Sequence, residues 1–144
     1  MKQFLIFTIV LLAFIPLSAQ VDIRWQDLER VSFSASESDG TMGLVVEPDF
    51  SASLKALDGK KVRIKGFMLP LTVDNELYIL SRYHFSNCFF CGGAGKETVI
   101  HLEPKESDLS FELDESVIVT GILRLVDDPQ ELCFKLEKAR IEPE

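Results

Sequence analysis

The chain has 144 residues with 15 basic and 23 acidic side chains, a net charge of −8. That balance repels phosphate backbones and anionic lipid, so it argues against nucleic acid or a charged membrane surface as partner. Three cysteines are too few for a dense disulfide framework.

The chain opens on Met1-Lys2-Gln3, runs through the apolar stretch 4–17 and leaves it by Ser18-Ala19-Gln20. A basic start, a short apolar run and small exit residues read as a secretory signal peptide over 1–20, with cleavage near Ala19 or Gln20. The apolar run is 14 residues long, whereas a spanning helix needs about 20. The reading is therefore export to the periplasm or the medium, with no stable membrane insertion after cleavage. Losing Lys2 takes the mature net charge to about −9, and about 124 residues remain, enough for one domain with a single core.

Residues 21–56 read as an N-terminal extension that packs on the domain formed by 57–144. Ile23, Trp25, Leu28 and Val31 have loosely helical spacing, and Trp25 is a core plug. Ser34 to Gly40 is a polar loop, Met42 to Val46 a short edge strand before Pro48, and Ser51 to Leu57 one or two helical turns capped by Asp49 or Ser51.

Over 57–144 the period becomes two. After the Asp58-Gly59 turn, Val62, Ile64, Gly66 and Met68 alternate with Arg63, Lys65 and Phe67 up to Pro70. Asp74-Asn75 supplies a turn, 76–83 a second strand and 97–103 a third. A polar connection over 104–115 has room for a helical turn. Residues 116–126 form the plainest strand, with Val117, Val119, Leu123 and Leu125 on one side, and 132–141 closes the chain as a fifth. Glycine recurs mid-strand in KVRIKGFM and SVIVTGIL. A glycine weakens a strand, so two at equivalent places mark sharp bends where a sheet curls on itself. The prediction is a mainly β protein: a small five-stranded OB-like antiparallel barrel with short N-terminal helical segments.

Residues 57 to 141 also resemble a family of small exported bacterial proteins classed only as a domain of unknown function. The resemblance rests on Leu57-Asp58-Gly59-Lys60-Lys61-Val62, Gly66-Phe67-Met68-Leu69-Pro70-Leu71 and Cys88-Phe89-Phe90-Cys91-Gly92-Gly93-Ala94-Gly95. It implies export and a barrel fold, and it implies no activity.

The chemistry concentrates in that last block, between the second and third strands. Two thiols three positions apart can grip one soft ion, because a tight turn brings both sulfurs to one side. Glycines after them free backbone N–H groups to support the sulfurs. His84, His101 and Cys133 are the candidate further ligands, and zinc or copper is the metal that such donors suit. Phe89, Phe90, Gly92, Gly93 and Gly95 complete a candidate binding loop. Cys133 shares strand parity with Lys135 and Glu137, which places it off the apolar face.

Three motifs fail residue by residue. Gly92 stands where covalent haem attachment needs histidine. Phe90 and Glu97 break the phosphate-loop pattern around Gly95-Lys96. Nothing supplies the oxyanion hole of a cysteine protease. With no catalytic constellation, the leading expectation is a non-enzymatic binding module holding a soft metal or an exported or membrane partner protein. Two alternatives stay open: a thiol–disulfide redox protein using Cys88 and Cys91, and a structural module in which the loop is scaffold.

Overall fold

The computed structural model describes residues 19–37, 44–71, 77–106 and 109–144. The export signal expected over 1–20 therefore lies outside the described residues as far as Ser18, as does the Asp74-Asn75 turn. No helix among the described residues is long and apolar enough to cross a membrane.

Five strands make the barrel: β4 (Lys61–Pro70), β5 (Tyr78–Ser81), β6 (Val99–Pro104), β7 (Ser116–Leu125) and β8 (Phe134–Pro143). Within a sheet that a short sixth strand joins at β4, the barrel strands run β4-β5-β6-β8-β7, and β7 pairs back onto β4 to close the barrel. Four seams are antiparallel, and the fifth, β6 against β8, is parallel. Parallel strands need a long crossover, and the stretch 105–133, which contains β7, supplies it. This is an OB-like five-stranded barrel, as the alternation predicts. The polar connection 104–115 shows no helix in its described residues.

Alternation places Val62, Ile64, Gly66 and Met68 of β4 inside the barrel, facing Val117, Val119 and Leu123 of β7 and Phe134 and Leu136 of β8. Each large aliphatic side chain taken fully out of water stabilises by roughly 1.5–3 kcal/mol, which makes this inner face the main source of stability.

Both predicted bends are present. Gly66 sits where β4 changes partner, since residues 61–67 pair with β7 and 67–70 with β5. A Cβ at Gly66 would lie 2.7 Å from the Ser81 carbonyl oxygen and 2.9 Å from Leu80 Cγ, so only glycine lets the two strands approach. Gly121 lies at the register shift between β7 and β8, opposite a β8 bulge at Lys138, whose φ is +52°.

Ahead of the barrel, β1 (Val21–Asp22) pairs parallel with β4, and α1 (Trp25–Leu28) follows. Asp27 accepts the Arg24 backbone N–H on its carboxylate at 2.9 Å and donates its own N–H to the Arg24 carbonyl at 2.9 Å, which closes the helix start. Trp25 and Leu28 are buried, and the indole N–H of Trp25 donates to the Lys65 carbonyl at 2.8 Å, so the ring is a plug with a satisfied polar end. β2 (Val31–Glu37) and β3 (Leu44–Phe50) then form an antiparallel hairpin outside the barrel sheet. Here the expectation of a polar loop from Ser34 is corrected as far as Glu37, which ends β2. The alternation VSFSASE outweighs its serine content, and Pro48 is accommodated within β3. α2 (Ala52–Lys55) begins at Ser51, whose hydroxyl accepts the Leu54 N–H at 3.4 Å.

Gly66→Ala is expected to destabilise the protein by about 1–3 kcal/mol, because the atoms its Cβ meets include a strand carbonyl that cannot move aside. A denaturant midpoint unchanged from the parent protein would refute this account of the bend.

Candidate functional site

The segment 82–98, between β5 and β6, does not project as a free loop. It folds back over the outer face of the barrel in three short 3₁₀ turns, Phe85–Asn87, Phe89–Cys91 and Lys96–Thr98. Outward-facing residues of the strands would otherwise meet water, but Leu69, Ile79 and Val99 are buried there with Cys88 as a second, smaller core. Phe89, Leu77 and Leu132 pack around its rim. Cys88 is thus the residue that seats the loop, fully buried as a small hydrophobe.

Polar contacts hold both ends of the segment. At its start, Asp114 adopts φ +65° in the turn before β7, a conformation aspartate tolerates better than most residues. Its carboxylate accepts the Phe85 N–H at 2.7 Å and lies 3.7 Å from His84 Nδ1. The His84 ring stacks on Phe67 with centroids 4.0 Å apart. At the far end, Thr98 donates its hydroxyl to the Gly95 carbonyl at 2.7 Å, and Lys96 Nζ donates to the carbonyls of Pro129 and Glu131 at 2.7 and 3.3 Å. Cys133 Sγ donates to the Lys96 carbonyl at 3.7 Å.

Between these clamps the chain from Cys88 to Gly95 is a compact knuckle. The Cys88 carbonyl accepts the N–H groups of Cys91 and Gly93 at 3.2 and 3.1 Å. Gly92 takes φ +73°, and a Cβ on Gly93 would lie 2.8 Å from the Asn87 carbonyl oxygen. The turn therefore demands glycine at both positions. The result is asymmetric: Cys88 points into the small core while Cys91 is exposed. All three cysteines carry free thiols. The Cys91 pKa is raised, first by desolvation and then by the adjacent Cys88 sulfur, as a nearby charge and as a hydrogen-bond partner.

The other sequence candidates are placed apart from this pair. Cys133 is 1% exposed in the main core, which corrects its predicted position off the apolar face. β8 begins only at Phe134, so strand parity does not govern the residue before it. Burial pushes its thiol up to about 12, with Glu97 adding to the rise and Lys96 and a backbone hydrogen bond opposing it. His84 is engaged by Phe67 and Asp114 rather than by the sulfurs. His101 sits on the outer face of β6 between Ile79 of β5 and Lys135 of β8. Partial burial and then the Lys135 charge lower its pKa, so the ring is neutral at pH 7. Among the described residues, no three Cys, His, Asp or Glu side chains converge as a metal site.

His101 instead lines a cleft of about 540 Å³ with Phe89, Phe90, Leu132, Lys96 and Lys135. A volume of this size is within the range of small-ligand sites. Phe89 and Phe90 meet edge to face with centroids 5.2 Å apart, and Phe90 stays 42% exposed beside the cleft. The cleft lies on the side of the barrel formed by its second and third strands and by the loop between its fourth and fifth, the surface OB barrels use for ligands. Sequence reading missed Asp114 as the loop's anchor. Its signal, an aspartate in a polar turn, is too common to single out.

Thiolate is the species that alkylates, so exposure and pKa together set reactivity. In the native protein iodoacetamide is expected to modify Cys91 first, more slowly at pH 7 than an unperturbed cysteine and faster as pH rises towards its raised pKa. Cys88 and Cys133 are expected to react only on unfolding. Peptide mapping that found Cys133 labelled first in the native state would contradict this placement.

No protein-family model and no curated protein matches the chain. Among solved structures it is similar to a DUF3299 family protein from Pseudomonas aeruginosa, with a TM-score of 0.54, 13% identity, and 88% of this chain and 97% of that one covered. At that identity the likeness establishes the shared fold.

Proposed function

We propose that this protein is an exported binding module whose Cys88–Cys91 knuckle holds a soft metal ion, zinc or copper, and presents it to another exported or membrane protein. The observation that carries this reading is the exposed Cys91 sulfur beside buried Cys88, in a glycine turn clamped at both ends. Thiolates prefer soft or borderline ions, and a bound cation deprotonates them, so the raised Cys91 pKa makes binding weaker as pH falls. Two sulfurs fill half of a tetrahedral shell. With no third ligand converging among the described residues, the remaining positions are open to water, a small ligand or a partner's side chain. Such a centre suits handing over or sharing an ion rather than stapling a fold. Phe89, Phe90 and the adjoining cleft supply the apolar surface against which a partner packs.

The Cys-x-x-Cys spacing in one tight turn also favours a second reading, a reversible Cys88–Cys91 disulfide. Against it stands the raised pKa of the accessible thiol, since efficient exchange needs a ready thiolate.

Reduced mature protein incubated with zinc or copper(I) and then desalted is expected to retain about one equivalent, as a single two-thiolate site requires. Cys91→Ser is expected to lose most of it while keeping the circular dichroism of the parent protein. Retention below about a tenth of an equivalent by the parent protein would overturn the metal reading.

A further inference from the structure

The β2–β3 hairpin stands outside the barrel sheet and is amphipathic over 31–35 and 46–50. Residues directly opposite in an antiparallel pair share a face, so Val31, Phe33 and Ala35 lie with Val46, Pro48 and Phe50. The base of this face, Val31 and Phe50, is in the barrel's core. Beyond the base the same face is left in water: Phe33 is 37% and Val46 44% exposed, and Ala35 is exposed with them. The opposite face carries exposed Ser32, Ser34, Glu47 and Asp49. A two-stranded ribbon with an unburied apolar face is marginal in water and gains stability from further strands.

The two outer edges differ. β3 has Pro48, which has no N–H to offer, flanked by the carboxylates of Glu47 and Asp49, features that block strand addition. From Val31 to Ala35, β2 carries no charge and no proline, and among the described residues it pairs with no strand except β3. Its sequence is also complementary to itself. Set antiparallel to a copy with Phe33 opposite Phe33, the alternation brings Val31 against Ala35 and Ser32 against Ser34 with no charge between them, and beyond that span Glu37 comes level with Glu29, whose carboxylate is already paired with Arg82.

We propose that β2 is a self-association edge, and that two copies of this chain pair β2 against β2 about a two-fold axis to form one four-stranded sheet. The added strands double the width of the apolar face, and Phe33 of each copy packs against the other. An isologous contact of this kind closes on itself, so it stops at the dimer. The paired surface is small, so the dimer is in reversible exchange with monomer. Each mature chain is acidic overall, so salt that screens their repulsion tightens the dimer.

Sedimentation equilibrium of the mature protein, in reductant to prevent Cys91 cross-linking, tests this independently of any metal. The expected result is a monomer–dimer equilibrium that tightens with added salt. Phe33→Lys and Ser34→Lys, both at exposed positions, are expected to weaken it about ten-fold or more. Leu113→Lys, at an exposed leucine outside the hairpin, is expected to leave it unchanged. Hydrogen exchange gives a second readout: amide protection over 31–35 rises with protein concentration in the parent protein and not in the two hairpin variants. A monomer at the highest soluble concentration, or a dimer indifferent to both hairpin variants, would overturn the proposal.

Discussion

Everything else in the molecule depends on β4 pairing with two other barrel strands at once. Its first two thirds belong to β7 and its last third to β5, and the change of partner at Gly66 and Phe67 is what turns a curled sheet into a closed barrel. Closure removes the barrel's edges, so every barrel strand is paired on both sides and the inner face is sealed from water. The close approach of Ser81 at Gly66 explains why the bend is built on the one residue without a side chain.

The bend has a second effect, on the outside. Past Gly66 the outward residues of β4 and β5, Leu69 and Ile79, are large and apolar, so this part of the outer face needs a cover. The segment after β5 supplies it. Cys88 is small enough to drop between Leu69, Ile79 and Val99 and apolar enough to stay there, and this fixes where the following turn stands. Asp114 and Lys96 hold the ends of the segment to the connections flanking β7, so the knuckle is tied to the barrel at three places. A loop anchored in this way can keep Cys91 exposed without being free to wander.

Strand alternation was the most legible part. Val62, Ile64, Gly66 and Met68, and Val117, Val119 and Leu123, are inward as their period of two requires, because a closed barrel enforces one inner face. Parity failed where the strand had not yet begun: Cys133 precedes β8, and its burial follows from the turn that brings it against Lys96. The serines of β2 read as loop because a polar residue at every second place looks like low hydrophobicity, although it is also what a half-apolar ribbon requires. The position of the thiol loop between the second and third barrel strands was legible. Its folding onto the outer face was not, since that depends on Leu69 and Ile79, which come from two different strands. For the same reason His84 and Asp114, thirty positions apart, carried no local sign that they would meet.

The asymmetry of the two thiols narrows what the knuckle can do. Cys88 cannot swing far outward without opening a cavity among Leu69, Ile79 and Val99, and cavities in a packed cluster are costly. Chemistry at the pair must therefore come to Cys88 through Cys91, and the species that reaches it must be small. A metal ion satisfies this, since it can bridge an exposed sulfur to a buried one while its outer positions face solvent. A bulky protein disulfide attacking Cys88 directly does not, because that sulfur is covered by the loop's own aromatic residues and the strands beneath. Thiol exchange at this loop would have to begin at Cys91, whose raised pKa makes it the slower partner at neutral pH. The raised pKa opposes metal binding as well, since a metal also needs the thiolate, so what separates the two readings is the burial of Cys88 as a packing residue.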